Sequence, residues 1–146
     1  MHAVLATSLP ETENRLRRFQ ADQPVRLLAF TASACRQCDR VRQLADELHR
    51  MASWIQVEHI DPDTRPDLVA LYHIDRIPAI ALMTGGVSIR DTRIRFIGVP
   101  SGYLLDALID DVLTVSRQIR ELEVATRAWL ATLTRPVYLT VFGLPE

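Results

Sequence analysis

The chain contains only two cysteines, Cys35 and Cys38, and they are separated by two residues. A disulfide between them would close almost no loop, so it would contribute little as a structural staple. In a reducing compartment such a pair is more often catalytic or metal-binding than structural. The spacing therefore indicates either thiol–disulfide chemistry or metal coordination at Cys35 and Cys38.

A metal site built on this pair would need further ligands. The chain has no other cysteine, and its histidines are widely scattered without ligand spacing: His2, His49, His59 and His73. We therefore predict no metal and no cofactor, and zinc is disfavoured. An iron–sulfur cluster shared between two chains and a pair without redox function remain open as alternatives.

The two cysteines lie where a predicted strand passes into a predicted helix. The strand is the apolar run Val25–Phe30, and apolar residues recurring at helical spacing predict a helix over residues 35–52. Helix N-termini stabilise anions, so we expect a lowered pKa for Cys35, and Arg36 adds a cation that acts in the same direction. Cys38, one turn further in, is expected to be more buried and to resolve a mixed disulfide.

The dipeptide Ile77-Pro78 is a second feature to which chemistry can be assigned. Proline is tolerated as the first residue of a strand because no ladder donor is lost there, and this structural interpretation suffices by itself. Beside a C-x-x-C helix, however, a cis bond at Pro78 would expose the main chain of Ile77 for pairing with an extended substrate. We therefore predict that Ile77 and Pro78 bind substrate.

Periodicity and turn signals predict the elements that position these residues. A capping-box pattern at Ser8 predicts a helix over residues 9–21, and helical spacing predicts two more, over residues 65–73 and after Ser101. Alternating or apolar runs and the Gly85-Gly86 hairpin signal predict strands over residues 55–60, 80–83 and 94–97. Since strands joined through helices lie parallel and a hairpin is antiparallel, we predict an α/β fold with a central mixed four-stranded sheet flanked by helices.

The end of the chain is predicted to lie outside this unit. Residues 1–118 complete a domain with its N-terminal helix, and residues 119–146 are expected to add a helix and a strand from Val137 to Phe142. A lone strand after a finished domain has no partner, and an exposed edge is a template for pairing with another chain. We therefore predict a homodimer that pairs Val137 to Phe142 across a two-fold axis.

Composition and charge exclude several classes of function. The chain is 48% hydrophobic and 24% charged with a net charge of −1, which is typical of a globular protein and gives no reason to expect nucleic acid or an anionic membrane as partner. No apolar run approaches the roughly 20 residues that span a bilayer. The N-terminus makes a poor signal peptide, so the expected location is the cytoplasm.

Taken together, the motifs resemble the thioredoxin superfamily: Cys35-x-x-Cys38 between strand and helix, Ile60-Asp61, Ile77-Pro78 and Gly85-Gly86. Three longer segments, residues 74–79, 96–102 and 111–117, look like the N-terminal half of the two-unit protein disulfide oxidoreductases of archaea and thermophilic bacteria. Those proteins in turn resemble the N-terminal domain of the flavoprotein subunit of alkyl hydroperoxide reductase. The resemblance implies a thioredoxin-like fold and dithiol exchange with protein disulfides, with a reductase or a peroxiredoxin as partner.

The chain departs from that family in three respects. The strand from Val137 to Phe142 looks like the start of the second unit, but the chain ends before a second C-x-x-C. The buried acid of ordinary thioredoxins would fall at Ala29, with Glu58, Asp61 or water as candidate substitutes, and Ala34 replaces the aromatic residue before the first cysteine. A thioredoxin-like binding or dimerisation module with little redox activity is therefore the alternative function.

Overall fold

The computed structural model describes residues 3–118 and 122–143, with the main chain alone for residues 3–8. In chain order its elements are α1 (Ala3–Arg18), β1 (Val25–Phe30), α2 (Cys38–Met51), β2 (Ile55–Ile60), α3 (Pro66–Leu71), β3 (Ala79–Thr84), β4 (Asp91–Ile97), α4 (Tyr103–Arg117) and α5 (Val124–Ala131). None of the helices within these described ranges has the length and apolar character needed to cross a membrane.

The four strands form one mixed sheet in the order β2-β1-β3-β4, which confirms the predicted fold class. β1 runs parallel to β2 and antiparallel to β3, and β3 runs antiparallel to β4. The expectation that strands joined through a helix lie parallel is thus confirmed for β1 and β2 but wrong for β3, which follows α3. Phe30, the last residue of β1, pairs with Ile60 at the end of β2 and with Ala79 at the start of β3. The loop with the cysteines and the residues before β3 therefore leave the sheet at the same edge.

Helices cover both faces of the sheet, because successive side chains of each strand point to opposite sides. On one face Leu27 and Ala29 of β1 pack with the buried residues of α2 and α4 and with Leu16 of α1. On the other face Leu28 and Phe30 pack with Ile60, Ile74 and the residues of α3. The first of these two clusters is the larger, and it fixes α2, the helix that begins at Cys38, against the sheet.

Arg95 on β4 forms a partly buried ion pair with Asp91 of the same strand and also contacts the segment that leads to Ile77-Pro78. The guanidinium of Arg95 binds both carboxylate oxygens of Asp91 at 2.8 and 2.7 Å and donates to the main-chain oxygen of Tyr72 at 3.1 Å. Burial raises the pKa of Asp91, but the hydrogen bonds from Arg95 and from the Arg93 N–H prevail, so this pKa lies below its ordinary value. The pair thus holds the end of α3 against the strand beside the site.

The structure corrects several predicted helix and strand boundaries. The first helix begins at Ala3 and continues through Pro10, so Ser8 lies inside it and does not open a capping box. The helix after the cysteines begins at Cys38, not at Cys35, and Gly102 replaces Ser101 at the start of α4. In both cases no side-chain capping hydrogen bond fixes the first turn, so the start depends on the conformation of the preceding loop.

The C-terminal region only partly follows the prediction. α5 lies within the predicted helix, whose expected first residues, 119–121, are outside the described residues. The predicted strand from Val137 to Phe142 is wrong for the single chain, since these residues form no strand within residues 122–143. A strand needs a neighbour for its ladder hydrogen bonds, and Tyr138 and Phe142 are instead exposed. The division of the chain at residue 118 stays a prediction.

Candidate active site

The main chain carries the two cysteines from the end of β1 to the start of α2 through two tight turns. The Thr31 N–H donates to the Ile60 carbonyl at 3.0 Å and so extends the β1–β2 pairing by one residue. The Cys35 N–H then donates to Ala32 O at 3.3 Å, and the Cys38 N–H donates to Cys35 O at 3.2 Å. These turns place Cys35 in the loop at the edge of the sheet and Cys38 at the start of the helix.

The two cysteines are joined as a disulfide and differ in exposure. Their sulfur atoms are 2.19 Å apart and their Cα atoms 5.3 Å apart. Cys38 is 0% exposed and belongs to the core, whereas Cys35 is partly exposed. Cys35 is therefore the more accessible of the two residues, which is the difference in burial that the sequence predicts.

A main-chain donor contacts the buried sulfur, and the exposed cysteine lies close to a helix N-terminus. The Ala32 N–H points at Cys38 Sγ with a donor–acceptor distance of 3.4 Å. Cys35 lies just before the N-terminus of α2, where the N-cap residue Gln37 offers no side-chain acceptor to the free N–H groups of the first turn. Such groups, together with the helix dipole, stabilise a thiolate. Arg36, the predicted modulating residue, is exposed beside Cys35.

Arg42 is a residue of the site that the sequence reasoning missed. One of its guanidinium nitrogens donates to the hydroxyl oxygen of buried Thr31 at 3.1 Å, and the other contacts the carboxylate of Asp39. The spacing of four residues from Cys38 was the available signal, because residues four apart lie on the same side of a helix. The acceptor, a hydroxyl in the loop after β1, could not be inferred from that spacing.

The position of the usual buried acid is occupied by Ala29, which is fully buried in the cluster under α2. Neither candidate carboxylate replaces it. Glu58 pairs with Leu28, whose side chain belongs to the opposite face of the sheet, and Glu58 forms an ion pair with Arg26 at 3.8 Å. Asp61 accepts the Asp63 N–H at 2.9 Å in the turn after β2. Neither of these contacts is with Cys38.

The Ile77-Pro78 peptide bond is cis, as expected, and lies directly before β3. The Pro78 carbonyl accepts the Gly98 N–H at 2.8 Å, while Ile77 precedes the strand ladder and is exposed. Since β3 begins beside the end of β1, both residues lie at the same sheet edge as the cysteine loop. The geometry brings the five predicted site residues, Arg36 included, to one edge, and the binding of substrate by Ile77 and Pro78 stays a prediction.

No cluster of three or more histidine, cysteine or carboxylate side chains within residues 3–118 and 122–143 could hold a metal ion. A partly exposed cysteine bonded to a buried one, at a helix start on a mixed sheet, is the arrangement of a thiol–disulfide oxidoreductase site.

A family model described as Thioredoxin matches residues 9–96, which is more than half of the chain. The chain therefore belongs to the thioredoxin family, as its motifs indicate. A search among curated protein sequences finds no match.

Solved structures show the same fold. The N-terminal domain (NTD_N/C) of alkylhydroperoxide reductase AhpF from Enterococcus faecalis matches with a TM-score of 0.72 at 23% identity, over 84% of this chain and 57% of that one. A protein disulfide oxidoreductase from Aeropyrum pernix matches with a TM-score of 0.73 at 19% identity, over 87% and 54%. Thioredoxin from Trichomonas vaginalis matches with a TM-score of 0.50 at 18% identity, over 71% and 87%. The chain thus spans just over half the length of the first two.

Proposed function

We propose that the chain is a protein disulfide oxidoreductase in which Cys35 is the nucleophile and Cys38 the resolving cysteine. The observation that carries the proposal is the disulfide between a partly exposed and a buried cysteine at the start of α2. The exposed sulfur can meet a second protein, and the buried sulfur can reach only its neighbour. This asymmetry suits a mixed-disulfide intermediate that is resolved within the chain.

In the reducing direction, the Cys35 thiolate attacks one sulfur of a substrate disulfide, and the other substrate sulfur leaves with the electron pair. Cys38 loses a proton and attacks Cys35 Sγ, which breaks the bond to the substrate. The substrate gains two electrons and two protons, and Cys35 and Cys38 become a disulfide. The reverse sequence delivers a disulfide to a dithiol substrate.

The substrate class that we propose is an extended segment of a protein. Ile77 precedes the first β1–β3 pair, so its main chain makes no ladder hydrogen bond there, and it lies near Cys35, at the end of β1. It can therefore pair with an extended peptide, as an added strand does. As partners we propose a reductase that renews the dithiol and, given the likeness to AhpF, a peroxiredoxin among the proteins it reduces. A reducing cytoplasm is the compartment in which we place this activity.

The redox equilibrium of the pair with glutathione tests this proposal. We expect the chain to exchange two electrons with a glutathione buffer and to catalyse reduction of insulin disulfides by dithiothreitol. A strongly reducing equilibrium would assign the chain to reductases, and a more oxidising one to disulfide donors or isomerases. A pair that fails to equilibrate, in a chain whose circular dichroism shows a folded state, would favour the alternative of a binding module.

The exposed C-terminal segment supports a second proposal, a dimer of two copies of this chain. Apolar side chains occupy both alternating faces of the segment, since Val137, Leu139 and Val141 alternate with Tyr138 and Phe142, and all five are exposed. A strand with two apolar faces suits burial inside a joined sheet. A second copy would also supply a second thioredoxin unit. The similar structures from Enterococcus faecalis and Aeropyrum pernix are longer than this chain, which covers only 57% and 54% of them.

Replacing Leu139 with lysine is expected to shift the chain from dimer to monomer, because a charged side chain cannot be buried unpaired in the interface. Sedimentation equilibrium measures the mass. The matched control is Leu71→Lys, since Leu71 on α3 is also exposed, at 61% against 89% for Leu139. A monomeric native chain, or a dimer that survives Leu139→Lys and a truncation after Arg135, would contradict the proposal.

A further inference from the structure

We propose that Arg42 is a positioning residue for the resolving cysteine. It would hold the loop whose N–H group contacts Cys38 and supply a positive charge that favours the Cys38 thiolate. The inference rests on the proposed function, because it concerns the step in which Cys38 attacks the mixed disulfide.

Ionisation of Cys38 is the difficulty that this step presents. Cys38 has no exposed surface, and burial disfavours the charged form of a thiol. A buried carboxylate on β1 would accept its proton, but Ala29 occupies that position. Glu58 belongs to the other face of the sheet, and Asp61 is bound in its own turn. The thiolate must therefore be stabilised by groups other than these acids.

A short chain of contacts leads from the sulfur to Arg42. The Ala32 nitrogen lies 3.4 Å from Cys38 Sγ. Thr31 directly precedes Ala32, and the Thr31 side-chain oxygen accepts a hydrogen bond from the Arg42 guanidinium at 3.1 Å. The Thr31 N–H is fixed by the Ile60 carbonyl. Arg42 thus holds Thr31 from the side of α2 while the sheet holds it from the other, and the Ala32 N–H stays directed at the sulfur.

The charge of Arg42 acts in the same direction as this hydrogen bond. Arg42 lies one turn after Cys38 on the same side of α2 and is partly buried, so water screens it less than it would an exposed cation. Asp39, its partner, is the more exposed of the two. Other charged residues near this edge of the sheet, as the topology places them, include Arg36, Arg40, Asp61, Asp75 and Arg76.

The consequence for catalysis is a larger fraction of reactive Cys38 at neutral pH. Cys38 releases its proton to water, its sulfur bonds to Cys35 Sγ, and the bond between Cys35 and the substrate sulfur breaks. The electron pair of that bond leaves with the substrate thiolate, which takes a proton from water. Arg42 neither donates nor accepts a proton in this step and acts only on the stability of the thiolate.

Titration of Cys38 in a Cys35→Ser background tests the inference, because only one thiol then contributes to the ultraviolet absorbance of thiolate. Arg42→Gln should raise the apparent pKa of Cys38 by about one unit, or about tenfold in thiolate fraction below that pKa. Arg42→Lys should retain most of the native value, since it keeps the charge. Thr31→Val should give a smaller rise, because it removes the acceptor and keeps the shape.

The matched control is Arg50→Gln. Arg50 pairs with Glu47 at the same three-residue spacing on the last turn of α2, so its loss removes a similar ion pair away from the sulfur. An apparent pKa that is unchanged in Arg42→Gln, or that rises equally in Arg50→Gln, would overturn the inference. If Arg42→Gln does not fold, Thr31→Val decides by the same criterion, with Arg42→Lys as the variant that should keep the native pKa.

Single-turnover release of substrate from the mixed disulfide, measured against pH with Cys35 intact, separates this inference from the proposed function. Release by Arg42→Gln should be up to tenfold slower at neutral pH. It should reach the native rate once the pH exceeds the pKa of Cys38 in both the native chain and the variant. Native release with no shift of the pH profile in Arg42→Gln would refute the role of Arg42 alone. A chain that forms no mixed disulfide would refute the proposed function, while the titration of Cys38 would still judge Arg42.

Discussion

Replacing Cys35 with serine is expected to abolish catalysed disulfide reduction, with a loss of at least a thousandfold. A hydroxyl at this position is not ionised near neutral pH, whereas the N-terminus of α2 favours a thiolate there. Cys38 cannot substitute as the nucleophile, because it is fully buried. Insulin reduction by dithiothreitol measures the effect, with circular dichroism to verify that the variant is folded.

Cys38→Ser is the companion variant, and its expected phenotype is different. Cys35 should still attack a substrate disulfide, but the mixed disulfide should persist because no second thiol resolves it. Incubation with a disulfide-bonded protein followed by electrophoresis without reductant should show a covalent adduct for Cys38→Ser and none for Cys35→Ser. Activity that survives in Cys35→Ser, or an adduct through Cys38, would show that Cys35 is not the nucleophile and that the roles of the two cysteines are wrongly assigned.

The strands of this fold can be predicted from the sequence where the hydrophobic pattern and the turn residues agree with the burial in the structure. β1 and β2 have the predicted bounds because each is an apolar or alternating run ended by a polar turn or a proline. The start of α2 was predicted three residues early, since residues 34–37 contain neither a proline nor a capping residue to mark the boundary. Two successive turns, visible only in the structure, delay the helix to Cys38.

The parts that could not be predicted depend on contacts between distant segments. The Arg42 guanidinium is eleven residues from Thr31 in sequence, and the hydrogen bond exists because α2 packs back on β1. The segment from Val137 to Phe142 shows the converse case: its apolar pattern is that of a strand, but no other segment of the described residues pairs with it. A local pattern fixes neither a tertiary contact nor the presence of a neighbour.

The second large effect is expected at Ala29, where Ala29→Asp would introduce the acid that ordinary thioredoxins carry. Ala29 is fully buried between β1 and α2, so an added carboxylate must displace packed atoms and lose its water. The matched control is Ala29→Asn, which has nearly the same size and carries no charge. At about pH 4, where the introduced carboxyl is uncharged, both variants should be less stable than the native chain by about 2 to 4 kcal/mol.

The difference between the two variants should depend on pH. Burial raises the pKa of the introduced carboxyl above its unfolded value of about 4, so the folded state binds a proton more tightly than the unfolded state. The aspartate variant should therefore match the asparagine variant at about pH 4. It should then lose stability as the pH rises toward the folded pKa, by about 3 kcal/mol for a shift of two units. Urea unfolding at acid and neutral pH measures this difference.

Equal stability of the two variants at neutral pH would mean that a polar neighbour compensates the buried carboxylate. The candidate is His59, which pairs with Ala29 across β1 and β2 and whose Nε2 lies 2.6 Å from the Asp46 carboxylate on α2. In that case His59→Gln in the Ala29→Asp background should lower the stability at neutral pH below that of Ala29→Asn. Without such compensation, an unpaired acid at position 29 lowers the free energy of unfolding, and the native alanine does not. The groups that stabilise the Cys38 thiolate are then the main chain and Arg42.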